Sequence, residues 1–139
     1  MLRRLIATVA VLLSLGGLAV VSAAPASATQ PGECFGYTGT FANNGVYPAF
    51  VGPVSWPNGA QNCFGISPGR HIWVTAPGHP WSVIPGGGLA DGISGFAASG
   101  TSSLYSKTVQ VWVASSDHYF CQTWWSNSGW TGSWSRCYW

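Results

Sequence analysis

Few residues in this chain are equipped for acid–base, nucleophilic or metal chemistry, and their spacing argues against each use in turn. Gly65-Ile66-Ser67-Pro68-Gly69 fits the G-x-S-x-G pattern of a hydrolase nucleophile elbow. That elbow needs the backbone N–H after the serine as an oxyanion donor, and Pro68 has none. The segment reads as a Pro-Gly turn. A glycosidase needs two carboxylates flanking the scissile bond. The acids are Glu33, Asp91 and Asp117, and Asp91-Gly92 and Asp117-His118 sit at turn signals, where aspartate caps the backbone. His71, His79 and His118 lack the paired spacing of a zinc helix, and Gly86-Gly87-Gly88 lacks the lysine and hydroxyl of a phosphate loop. A non-catalytic protein without metal or cofactor is the expectation.

Composition narrows the partners. The 139 residues carry five basic and three acidic side chains, but Arg3 and Arg4 lie in a stretch with the marks of an export signal. It has an apolar run over residues 5–21 and small-residue cleavage sites at Ala24-Pro25-Ala26 and Ala26-Ser27-Ala28. The run approaches the ~20 residues that span a bilayer, yet Gly16-Gly17 and the cleavage sites favour removal over anchoring. Residues 1–28 are therefore expected to be a secretory signal peptide and 29–139 a single small domain, extracellular and free of the membrane after cleavage. In that domain Arg70, Lys107 and Arg136 balance Glu33, Asp91 and Asp117. Three scattered cations do not neutralise a run of phosphates, which excludes nucleic acid as a partner. An anionic membrane surface fails on the same count.

The elements that must position any site are strands. Nineteen Gly and nine Pro favour tight turns over helices. Cys34, Cys63, Cys121 and Cys137, an even number behind an export signal, read as two disulfides with three pairings open; joining sequence neighbours closes a loop in each half. Zinc is the competing use, but no C-x-x-C is present. A first strand puts Phe35, Tyr37 and Phe41 on one face and turns at Asn44-Gly45, the strongest hairpin signal here. Its return, residues 46–51, contains Pro48 and belongs at a sheet edge. Turns at Trp56-Pro57-Asn58-Gly59 and at Ser67-Pro68-Gly69 bound a strand through Cys63 to Ile66.

Residues 70–75 alternate, with Ile72 and Val74 against His71, Trp73 and Thr75, and 81–84 form a further strand. Residues 85–103 are rich in Gly, Ala and Ser and read as a long connection. The clearest strand is 104–114, with Val109, Val111 and Val113 opposed to Thr108, Gln110 and Trp112. A last hairpin runs over 119–125 and 133–139 around Ser126-Asn127-Ser128-Gly129. About 7–9 short strands at this spacing predict an all-β fold, a small disulfide-stapled antiparallel β-sandwich or barrel. Ile72-Trp73-Val74, His79 and Trp81 recur at Val111-Trp112-Val113, His118 and Phe120 with an offset of 39. The echo marks either a duplicated strand-turn-strand unit or coincidence among many tryptophans.

Nine Trp, five Tyr and six Phe are the remaining signal. Some must fill the core, since Leu89 and Leu104 are the only leucines beyond residue 28. If Cys121 and Cys137 bond across antiparallel strands, then Phe120 faces Tyr138, Gln122 faces Arg136 and Trp124 faces Trp134, all on one side. Trp130 lies in the loop beside them, and Trp73 and Trp112 extend the surface from the polar sides of their strands. Flat rings interleaved with an amide and a guanidinium suit a sugar, whose C–H face packs on indole while its hydroxyls take the polar groups. The expectation is a secreted module that binds a neutral polysaccharide or cell-wall glycan. The alternatives are an extracellular protein inhibitor of a hydrolase, or other protein-interaction domain, working through loops 77–80 and 86–100, and a self-associating surface protein.

Overall fold

The structure, a computed structural model, describes residues 28–43, 46–101 and 103–138. The expected signal segment up to residue 27 and the Asn44-Gly45 pair lie outside the described residues. β1 (Thr29–Cys34) and β2 (Tyr37–Ala42) form a two-stranded hairpin. β3 (Phe50–Ser55), β4 (Gln61–Ile66), β5 (Ile72–Ala76) and β6 (His79–Val83) follow in order as a four-stranded antiparallel meander. β7 (Gly92–Gly100), β8 (Tyr105–Val113), β9 (His118–Trp125), β10 (Gly129–Trp130) and β11 (Ser135–Arg136) make a five-stranded sheet in which β9 pairs with β8, β10 and β11. The fold is all-β and antiparallel, with disulfides Cys34–Cys63 and Cys121–Cys137.

The two larger sheets pack face to face. Phe64, Ile66, Ile72 and Val74 meet Ile93, Phe96, Val109 and Val111, all members of one buried cluster or packed against it. Phe64 stands 5.0 Å from Phe96 between ring centroids, and Trp56 sets its ring edge-on to both. With few aliphatic side chains, aromatic rings supply much of the apolar area that a domain of this size must bury. The β1–β2 hairpin covers the outer face of the meander. Cys34 is bonded to Cys63 of β4, Phe41 packs on Phe50 and Trp81, and the Trp81 indole donates to the Tyr37 carbonyl.

Three expectations about strands need correction. The first strand is two, because the chain reverses at Phe35-Gly36, where both residues have positive φ (54° and 82°). Its second arm pairs with β1, and residues 46–49 are not its return: they stitch the sheets together, through Ile66 N–H to the Ala49 carbonyl and Ile93 N–H to the Pro48 carbonyl. The expected edge strand begins four residues later, at Phe50, as β3. It does lie at a sheet edge, with Pro53 in the bulge between Val51 and Val54. Finally, the connection expected over 85–103 contains β7. Its small residues pair with β8 through most of their length, and a bulge between Ile93 and Gly95 breaks the alternation that would have revealed it.

The offset-39 echo falls on equivalent places. Ile72 and Val111 are both buried, Trp73 and Trp112 both point away from the inter-sheet core, and His79 and His118 each open the second strand of a hairpin. Arg70, at φ 68°, grips Asp91 with two bonds, Nε to Oδ1 at 2.8 Å and a terminal nitrogen to Oδ2 at 2.9 Å. Asp91 also accepts the Ala114 N–H at 2.7 Å, so one carboxylate joins the β4–β5 turn to the β8–β9 turn.

Candidate functional site

The expected aromatic face is real as a face but looks inward. Cys121–Cys137 forms with Cα atoms 5.8 Å apart, yet the strand partners of β9 are Trp130 for Trp124, Ser135 for Cys121 and Arg136 for Phe120. The second arm is thus shifted by two residues from the register that places the cysteines opposite. A disulfide tolerates a range of Cα separations, so bonding alone does not fix which residues oppose. The shift is even, so Phe120, Gln122, Trp124 and Trp134 keep a common side while the pairs change: Trp124 faces Trp130 rather than Trp134, Gln122 does not face Arg136, and Phe120 faces Arg136 rather than Tyr138, which departs to the opposite side.

Phe120, Trp124, Trp130 and Trp134 pack half-buried against the core, and Gln122 between them is 1% exposed. Gln122 donates to the Pro85 carbonyl at 2.8 Å and accepts the Gly132 N–H at 3.0 Å. It clamps two loops and offers nothing to solvent. Gln122→Ala is expected to cost about 2–3 kcal/mol, since two buried backbone groups lose their partner; urea unfolding measures this. Trp134 lies over Gly88 and borders an apolar hollow of about 220 Å³ with Ile72, Val111 and Phe120. Trp73 is elsewhere, on the hairpin side of the meander, where it borders a hollow of about 260 Å³ with Trp81, Phe41 and Ser67. Arg136 is exposed at the sheet margin. The nine expected residues therefore do not form one surface.

Two of them, Trp112 and Tyr138, lie on the solvent side of the five-stranded sheet, each beside Tyr47. There β8 presents Thr108, Gln110 and Trp112, cross-strand to Thr123, Cys121 and Tyr119 of β9. The Thr108 and Thr123 hydroxyls are hydrogen-bonded at 2.9 Å. Tyr47 arrives from the 46–49 segment and leans on this face, its ring 5.6 Å from Trp112 and 6.0 Å from Tyr119. The two phenols share a hydrogen bond of 2.5 Å, which, with partial burial, holds the Tyr119 hydroxyl above the usual tyrosine range. Tyr47, Tyr119, Tyr138, Ser94 and Gln110 enclose a hollow of about 220 Å³.

Gln110 forms the floor, its carbonyl accepting the Ser94 hydroxyl at 3.0 Å and its amide facing Cys137 Sγ. Tyr138 is the open wall, 71% exposed. The Trp112 indole donates to Asp117 at the turn beside them. Four rings, three phenol hydroxyls, a serine and an amide make an aromatic shelf without a cation.

Sequence reasoning named Trp112 and Tyr138, though it put Tyr138 on the Phe120 side, and it missed Tyr47 and Tyr119. Tyr47 comes from 72 positions away, a contact no local pattern encodes. Tyr119 was legible in principle, since alternation from buried Gln122 puts it on the opposite side. Among the described residues no three His, Cys, Asp or Glu side chains gather as a metal ion would require. No protein-family model matches the sequence, no curated protein matches it, and no solved structure matches the fold.

Proposed function

We propose that the protein is a secreted, non-catalytic binding module that docks a neutral glycan on the aromatic shelf. The observation that carries the reading is the convergence of Tyr47, Tyr119 and the exposed Tyr138 around a hollow floored by Gln110 and Ser94, with Trp112 packed on the far side of Tyr47. Ring faces offer apolar, polarisable surface to axial C–H groups, while hydroxyl and amide partners stand at the margins for sugar hydroxyls. The Asp117 carboxylate held by the Trp112 indole stands at the margin of the shelf, which disfavours an anionic ligand and leaves an uncharged one. Two disulfides fit an extracellular setting, as does the leading apolar segment of the sequence. The inhibitor alternative has less support, because most of its presenting loop, residues 86–100, is strand β7 and the 77–80 loop is a tight turn.

The test is retention of the oxidised protein on chitin, cellulose and peptidoglycan. Trp112→Ala and Tyr138→Ala are expected to weaken retention about tenfold each, the ~1.4 kcal/mol of one well-placed ring. Trp134→Ala, a packing residue, should lower stability rather than select against the glycan. Absence of retention on all three polymers, or retention unaltered by both shelf substitutions, removes the reading.

A further inference from the structure

Behind the shelf, on the inner side of the same strands, stands the only lysine of the chain, Lys107. It pairs across the sheet with Trp124, and the residue is 8% exposed. Its Nζ lies 4.5 Å from the Trp124 ring centroid, 5.6 Å from Trp56 and 5.9 Å from Tyr105. Ring faces attract a cation, but they replace only part of the hydration that burial removes. Removal from water accordingly pulls the Lys107 ammonium below the ordinary lysine range.

A buried ammonium of this kind normally has a carboxylate beside it. Here none is. Asp91 is taken by Arg70 and the Ala114 N–H, Asp117 caps the far side of the sheet beneath Trp112, and Glu33 lies exposed on β1. Among the described residues the acceptor of Nζ is Asn62 Oδ1, at 2.9 Å. That oxygen also accepts the Trp56 indole N–H at 2.9 Å, and the Asn62 amide is fixed by the Thr75 carbonyl at 3.1 Å. An ammonium has three N–H donors, so two are left over. The lysine side chain lines a cleft of about 430 Å³ between the two larger sheets, bordered also by Trp124, Trp130, His79 and Ser82. That volume lies in the range of small-molecule sites.

We propose that this cleft is a second ligand site, distinct from the shelf, which takes the carboxylate of an acidic sugar of the uronate type against Lys107. The carboxylate supplies the missing counter-charge and two acceptors for the spare N–H donors. A sugar, rather than a peptide terminus, fits the remaining wall: indole surface from Trp124 and Trp130 for C–H groups, with the Ser82 hydroxyl and His79 imidazole for ring hydroxyls. Asn62, tied on both sides, keeps the ammonium aimed as the ligand enters.

A single lysine makes the test direct. The oxidised, full-length domain labelled with ¹³C-lysine shows one Cε resonance, from Lys107. Methyl glucuronide is expected to shift that resonance saturably and raise its titration midpoint, with affinity at least about tenfold above methyl glucoside. Lys107→Gln, its disulfides and near-ultraviolet dichroism checked against wild type, should bind the two sugars equally by calorimetry. Tyr138→Ala should leave the lysine response unchanged, so loss of the shelf and loss of the cleft are separable. No lysine shift with glucuronide, or an equal shift with glucoside, overturns the proposal. A shift with acetyl-alanyl-alanine but not with glucuronide overturns the sugar assignment. If Lys107→Gln fails to fold, the wild-type resonance decides alone.

Discussion

Phe41→Ala is expected to cost about 3–5 kcal/mol and to release the N-terminal hairpin from the sheet beneath it. The ring is 2% exposed, stacks 5.3 Å from Phe50 and meets Trp81 edge-on at 4.9 Å. It lies so close upon β4 that a Cβ at Gly65 would come within 2.0 Å of Phe41 Cε1. Glycine at 65 is therefore the socket for the ring, and its removal leaves a cavity between β4, Phe50 and Trp81. Urea denaturation gives the loss, and amide exchange in β1 and β2 should accelerate before the rest unfolds. A loss below about 1 kcal/mol would show that the ring is not what anchors the hairpin.

Removal of the Cys34–Cys63 bond, by serine at both positions, is expected to cost about 3–4 kcal/mol, from the 29-residue separation it closes. The corresponding change at Cys121 and Cys137, which are 16 apart, should cost about 3 kcal/mol. The first pair matters more than loop length implies, because Cys63 is fully buried and its partner belongs to a different layer. Since Phe41 and Cys34 hold the same hairpin, their combined removal should cost less than the sum of the two. Additive losses in calorimetric melting would argue that the hairpin is not one cooperative unit.

Legibility followed how far each segment's pairing is reported by its own side chains. β8 is central, runs against β9 without a bulge and alternates from Thr108 onward, so Val109 and Val111 inward and Thr108, Gln110 and Trp112 outward were readable, while Lys107 inward was not. β7 was not, because Gly, Ala and Ser give no hydrophobic period and its pairing is made by backbone bonds that the sequence does not display. Phe35-Gly36 was hidden for another reason. Phenylalanine disfavours positive φ, while Asn44-Gly45 a few residues on is the better local turn signal. The disulfide and Phe41 hold the first reversal against that local preference.

The C-terminal hairpin was half legible. Parity grouped Phe120, Gln122 and Trp124 correctly, but parity does not say which side meets water. A chain so poor in aliphatics places its rings inside first, and Gln122 was the misleading residue: an amide at 1% exposure serves two loop backbones. What remained for solvent was the side with the threonines and tyrosines.

The two covalent bridges neither cross nor nest: one closes entirely before the other begins, at Cys63 and Cys121. A chain delivered from its N-terminus into an oxidising compartment meets its first correct partner as soon as residue 63 emerges, with no competing thiol until residue 121. For a chain exported as proposed, order of arrival then favours the native pairing over the two alternatives. Refolding of the reduced, complete chain offers all four thiols at once, so vectorial delivery should give fewer scrambled products than dilution from denaturant.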